Sequence, residues 1–298
     1  KRKMYPYLIS QILKGVWFLR PEDAIAGHVI VNNILTGAYS DEKFTKTLSE
    51  ITPIQQLSHE GESSYDKSPK GSTAIISVKG TMIKYGTFCS YGADEIAMQI
   101  EEAALHENIS SIVLDIDSGG GACNAVSPLC KAIATAKAKG KPVVASCDVA
   151  ASAAYWIACN CDRIVADNDV SSAFGSIGVM CSFSDLKPYY ERMGVKFHEI
   201  YADQSENKNE SFRLALEGDY TKIRQESLNP MALRFQEEVK EKRKCLKLDT
   251  PGILSGKMFY AREAVAVGLI DEIGTLGRAV EVAKELEEMN LINKYINS

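Results

Sequence analysis

A small set of residues in this chain has the types and spacing for acyl-transfer chemistry. Ser152 stands alone among alanines in "DVAASAAYW" (Asp148 to Trp156), directly after the apolar run "KPVVASC". Small neighbours let another backbone approach closely and leave the hydroxyl as the reactive group of the stretch. A serine attacks a carbonyl only with a base to take its proton and donors to hold the oxyanion. The N–H of Ala153 adjoins the hydroxyl, and "DSGGG" (Asp117 to Gly121) can bring a second donor, from Gly120 or Gly121. Glycines there allow N–H groups to converge and a substrate to come close. Losing one such donor typically costs about 100- to 1000-fold in rate. Histidine is the usual base. Here, however, His198 lies inside the strand-like "VKFHEIYA", and His28, His59 and His106 precede both stretches. The alternative is Lys208, in the polar loop "ADQSENKNESFRL". A lysine works as a base only when neutral, a form favoured by burial.

These groups need elements to carry them. Strand-like and helix-like patterns alternate from residue 73 to about 202, which predicts an α/β domain with mostly parallel strands. "TAIISVKG", "ISSIVLDID", "KPVVASCDV", "DRIVAD", "SIGVMCSF" and "VKFHEIYA" read as strands. "GADEIAMQIEEAALHEN", "ACNAVSPLCKAIATAKAKG" (bent at Pro128), "SAAYWIACNC" and "SDLKPYYERMG" read as helices. "SGGG" and Ser152 then both fall where a strand passes into a helix. In open α/β sheets ligands gather at the carboxyl ends of strands, where helix N-termini present free N–H groups. Residues 4–37 read as amphipathic helix in two pieces, and 38–70 as a polar linker. "DYTKIRQESLNPMALRFQEEVKEKRK" is a long helical region, followed by a helix, a short strand and a final helix. The expected division is a helical extension and linker over 1–70, the α/β domain over 71–275 and a C-terminal helix over 276–298.

Bulk properties narrow the possibilities. The 298 residues are 45% hydrophobic and 24% charged, with formal net charge −5. That balance suits a globular protein and argues against a nucleic-acid partner. The basic run "KEKRKCLK" (Lys240 to Lys247) reads as a solvated helix face. Of the eight cysteines, Cys123, Cys130, Cys147, Cys159 and Cys181 lie in apolar or Ala-rich segments, and no C-x-x-C occurs. We expect free thiols, a reducing compartment and a cytoplasmic location. No H-x-x-x-H occurs, so neither a metal nor another cofactor is expected. The N-terminus is basic and then apolar, like a secretory signal, but Pro6, Gln11 and Lys14 interrupt it. No 18-residue apolar span exists, so no integral membrane segment is expected. The chain starts at Lys1, so a short leader can precede it.

The run from about Thr73 to Gly274 resembles the signal peptide peptidase A family, serine–lysine peptidases of ClpP/crotonase-type fold that include phage head-maturation proteases. Five pieces occur in order. "DSGGG" is similar to the family's D-S-P-G-G turn, "AASAAYWIA" to A-S-G-G-Y-Y-I-A, and "FGSIGV" (Phe174 to Val179) to T-G-S-I-G-V. "ENKNE" is similar to the lysine loop, and "AREAVAVGLIDEIG" to E-A-x-x-x-G-L-V-D-x-x-G. The resemblance implies Ser152 as nucleophile, Lys208 as general base and Ser176 as the group that orients the lysine. It implies an oxyanion hole from Gly120 (or Gly121) and Ala153, and an edge at Gly178 and Val179 onto which a substrate strand adds. Peptide or unfolded-protein substrates and a homo-oligomeric ring, in which neighbours complete the site, also follow from it. Two departures stand out: Gly119 replaces the usual proline, and Ala153–Ala154 replace Gly-Gly, as phage-type members tend to do.

Plainer readings compete. Ser152 can be a helix N-cap, Lys208 a solvated lysine and Ser176 a turn residue. "SGGG" lacks the G-K-[ST] and G-x-G-x-x-G spacing of phosphate loops. The S-x-x-K pairs at Ser40, Ser64 and Ser184 lack the S-D-N and K-T-G partners of penicillin-recognising enzymes. Expected function is peptide-bond hydrolysis in phage capsid maturation, with degradation of cleaved signal peptides as the alternative. A crotonase-type acyl-CoA enzyme and a non-catalytic assembly protein are the rivals of another class.

Overall fold

The computed structural model describes residues 17–18, 65–86, 91–183 and 185–296. A two-residue strand β1 (Trp17–Phe18) comes first, then β2 (Ser72–Lys79), α1 (Ala93–Leu105), β3 (Ile109–Ser118), β4 (Gly121–Ala122) and α2 (Val126–Ala138). Next come β5 (Val143–Ala151), α3 (Ala153–Ala158), β6 (Arg163–Ala166), β7 (Ala173–Gly175), α4 (Lys187–Arg192) and α5 (Glu210–Leu216). A short helical turn and a π-turn lead into α6 (Asn229–Lys242), and β8 (Met258–Tyr260), α7 (Ala261–Ala266), β9 (Glu272–Ile273) and α8 (Leu276–Ile296) close the described chain.

The main sheet runs β2-β3-β5-β6-β9, with β7 on β5 and β8 on β7; every pairing in it is parallel except β7–β8. This is the mostly parallel α/β sheet that the alternation predicts. Parallel strands covered on both faces become continuous apolar runs, and β3 shows how. Ile112, Leu114 and Ile116 enter the large core with Ile100 of α1 and Leu129 and Ile133 of α2. Val113 faces the other way, packing with Val144, Val165 and the α8 residues Ala279, Val282 and Ala283.

Several local expectations are corrected. The helix expected over 4–37 lies outside the described residues except at Trp17–Phe18, which form a strand paired with β4; aromatic residues favour that geometry. The rest of 1–64 is likewise outside the described residues. α2 contains Pro128 in its first turn, where a missing N–H leaves no bond unmade. The strand expected at "SIGVMCSF" falls earlier, on Ala173–Gly175. Val195–Ala202, expected as a strand, is irregular, largely exposed and part of neither sheet among the described residues. The basic run leaves its helix at Lys242. Its Arg243 turns inward to a bidentate pair with Asp271 (3.0 and 3.1 Å), while Asp271 also accepts from the Ile164 N–H at 2.7 Å. No helix among the described residues is long and apolar enough to cross a membrane.

Candidate active site

β5 changes partner partway along its length. Val144–Cys147 pair with β6, and Val149–Ala151 pair with β7. Against β3, register passes from Ile116↔Cys147 to Ser118↔Ala150, so β5 carries one extra residue there. Such a bulge re-aims the strand beyond it. Asp148, at that bulge, accepts hydrogen bonds from Asn168 (3.2 Å), Ser171 (3.0 Å) and Ser172 (3.1 Å). It thereby ties down the loop that delivers β7.

At the end of β5, Ser152 adopts φ 55° and ψ −118°. A non-glycine residue there stores on the order of 1–3 kcal/mol of backbone strain, the geometry of a sharp strand-to-helix elbow. Its N–H donates to the Gly175 carbonyl (2.8 Å), and its own carbonyl accepts from the Trp156 N–H (3.0 Å). The hydroxyl does not cap α3, so the N-cap reading does not account for it. Ala150, Ala151, Ala153 and Ala154 are wholly buried. α3 is locked in place: Tyr155 Oη donates to the Leu269 carbonyl at 2.8 Å, and Trp156 stacks on Phe235 at 4.4 Å. The Ala153 N–H stands at the first position of α3, where no carbonyl four residues back exists inside the helix.

Ser176 follows the residue that holds Ser152. Because Ala151 pairs with Gly175, the two serines leave adjacent strand ends side by side, both with positive φ (Ser176 at 51°). The Ser176 N–H donates to the Lys257 carbonyl at 3.0 Å, across to the chain entering β8. Gly175 is required there, since its φ is +120° and a Cβ would lie 2.5 Å from the Lys257 carbonyl oxygen.

The glycine turn is equally constrained. Ser118 Oγ donates to the Gly80 carbonyl (2.6 Å) and accepts from the Gly120 N–H (3.1 Å). Gly120 takes φ 100°. Met82 runs parallel alongside: its N–H donates to the Gly120 carbonyl (2.9 Å) and its carbonyl accepts from the Ala122 N–H (2.8 Å). A Cβ on Gly121 would stand 2.0 Å from the Met82 oxygen, so glycine is needed for close approach alone. Gly178 and Val179 are half-buried beyond β7, and Val179 packs on the core.

The structure thus gathers Ser152, Ala153 and Ser176 at one sheet end, with the Gly120–Gly121 turn built beside Met82 at the end of β3. Lys208 is not brought in. It is exposed in the turn before α5, its N–H donating to the Ser205 carbonyl at 3.0 Å, and its ammonium makes no hydrogen bond or ion pair among the described residues. Sequence reasoning missed Asp148, Gly175 and Met82 as supports. Asp148 and Gly175 sit inside stretches that it singled out, whereas Met82 had no signal. Burial pushes the Cys123 thiol up to about 12 and the Cys147 thiol well above its usual range, so both stay protonated and neither competes as a nucleophile.

The mostly parallel α/β sheet thus ends in a strained serine elbow, with a glycine turn at the end of the neighbouring strand β3. Residues 135–290 match peptidase family S49, and the chain belongs to that family. It is 30% identical over 269 residues to Protease 4 of Salmonella typhi, covering 90% of this chain and 42% of that protein. It is 27% identical to the chloroplastic serine protease SPPA of Arabidopsis thaliana, covering 74% of this chain and 32% of that one. It is also 27% identical to the head-tail preconnector protein GP5 of Enterobacteria phage P21, covering 70% and 42%. The chain therefore spans less than half the length of each of these relatives.

Proposed function

We propose that the chain hydrolyses peptide bonds in extended or unfolded proteins with a Ser152–Lys208 dyad. The observation that carries this reading is the elbow itself, a buried serine held at positive φ by Gly175 with its hydroxyl uncommitted to the helix it starts. Ser152 Oγ attacks the carbonyl carbon as neutral Lys208 takes its proton. The oxyanion rests on the N–H of Ala153 and on a second N–H from the glycine turn, that of Gly121 or that of Gly120 once it exchanges its bond to Ser118 Oγ for the substrate. The C–N bond then breaks, the amine leaves with the proton, and water attacks the acyl ester by the reverse proton path. Ser176, one strand over, orients the lysine, and Gly178–Val179 receive the substrate strand.

Lys208 needs shielding from water to serve as base. The stretch between β7 and α5 exposes Tyr189, Tyr190, Met193, Val195, Phe197 and Ile200. An apolar surface of that kind calls for a cover, and a neighbouring copy in a homo-oligomer supplies it together with the lysine. For the biological role, likeness to the phage P21 protein and Ala153–Ala154 in place of Gly-Gly favour processing of capsid-assembly proteins in the cytoplasm. Likeness to Protease 4 and SPPA favours a second role, degradation of cleaved signal peptides.

The test compares Ser152→Ala, Lys208→Ala and parent on a denatured protein, with light scattering for assembly state. Both variants should lose at least about 1000-fold in rate while keeping the parent's fold and mass. Unchanged cleavage by Lys208→Ala would remove the lysine from the mechanism.

A further inference from the structure

β4 follows directly on the glycine turn, and both of its edges are filled. Met82 takes one, in the parallel sense, with its two hydrogen bonds to Gly120 and Ala122. β1 takes the other, in the antiparallel sense, with Trp17 opposite Ala122 and Phe18 opposite Gly121. In that register the C-terminal end of β1 faces the glycine-turn end of β4. Met82 belongs to the fold, since a Gly121 Cβ would strike it and Ala93 anchors the same stretch through the Ile83 carbonyl at 2.8 Å. The β1 edge is different: it is held by two residues that lie 105 (Trp17 to Ala122) and 103 (Phe18 to Gly121) positions from their partners, in a sheet of its own with β4.

We infer that β1 is a resident pseudosubstrate: Trp17–Phe18 occupy a strand edge beside the glycine turn, and an extended substrate that adds to Gly178–Val179 pairs with this second edge as well only after displacing them. The inference rests on the peptidase reading above. Main-chain pairing is sequence-tolerant, so an internal strand and an external peptide compete for the same N–H and C=O groups. Being tethered, the internal strand competes at a high effective concentration. Two aromatic residues, favoured in strands, suit Trp17–Phe18 to that role.

The test is Phe18→Pro and, separately, Trp17→Pro in the full chain, since proline cannot donate to a ladder and is excluded from paired positions. Hydrogen exchange at Gly121, opposite Phe18, reports the pairing, and exchange at Ala122, whose N–H donates to the Met82 carbonyl, is the internal reference. A small fluorophosphonate, which needs no strand edge, reports Ser152 reactivity, and an extended peptide substrate reports access. At least one proline variant should exchange faster at Gly121, label at the parent rate, and turn over the extended peptide about 10-fold faster, the order expected for losing one or two hydrogen bonds. A synthetic peptide of residues 12–22 should inhibit the variants competitively, and its Phe18→Pro form should not. Faster exchange with unchanged turnover would overturn the inference, as would unchanged exchange in both variants. Absence of fluorophosphonate labelling in parent and variants alike would sink the peptidase reading, and this inference with it.

Discussion

Gly121→Ala isolates close backbone approach from backbone strain. Gly121 does not need positive φ, yet its added Cβ would lie 2.0 Å from the Met82 oxygen and 2.6 Å from the Met82 N and C atoms. An ordinary contact is about 3.4 Å or more, so β4 and the Met82 strand must part by roughly 1 Å. That stretches the 2.9 and 2.8 Å hydrogen bonds between them towards breaking. Two net bonds at about 1 kcal/mol each, plus about 1–3 kcal/mol of overpacking, give a destabilisation of about 3–5 kcal/mol. If the glycine turn supplies the oxyanion donor, as proposed above, displacing it by a similar distance should slow acylation about 100-fold. The assay pairs urea unfolding with the rate of fluorophosphonate labelling at Ser152. Gly140→Ala is the control: it has φ +80° and nothing within 4 Å of its added Cβ, so it should cost only about 1 kcal/mol and leave labelling unchanged. If Gly121→Ala labels within a few-fold of the parent and unfolds at the same urea concentration, the close-approach reasoning is wrong.

Other perturbations separate support from chemistry. Phe235→Ala removes a fully buried ring stacked on Trp156 and should cost about 3–5 kcal/mol in calorimetry or urea titration. Arg243→Ala leaves Asp271 without its bidentate partner and should destabilise by about 3 kcal/mol; Arg243→Ala/Asp271→Ala together should cost less than the two singles summed. Iodoacetamide at pH 8 should alkylate exposed Cys245 and spare buried Cys147, Cys159 and Cys161 in the native protein, as read by mass spectrometry. Because burial raises the Cys123 and Cys130 thiols to about 12, their thiolates form only towards that pH. Their labelling should therefore stay slow through pH 9, and fast labelling there would contradict the packing.

The sequence displayed the parts of this fold that arise from local rules. β3 was legible because both of its faces are buried, which makes it a continuous apolar run. α1 and α8 were legible from helical spacing. Ser152 and the glycine turn were legible because small residues clustered at a strand-to-helix change of period have few other uses. Tertiary pairing hid the rest. β7 begins earlier than its apolar run because Gly175 must meet both Ala151 and the Lys257 carbonyl. Arg243 looked solvated because its partner, Asp271, lies 28 residues further along the chain. Met82 acts through its main chain alone, which no side-chain pattern announces. Val195–Ala202 has strand composition but pairs with no described strand, and a strand needs a partner as well as a composition.

The exchange of partners along β5 puts two ladders in series on one strand. The lower ladder, through β6 to β9, is clamped by Arg243 and Asp271; the upper one, through β7 and β8, carries both serines. Asp148 is the knot between them. Opening of the sheet margin at β9 can therefore relax before reaching the elbow, so the end that carries the serines is insulated from fraying at the far edge. Conversely, cutting the knot would slacken the elbow while leaving the lower ladder intact.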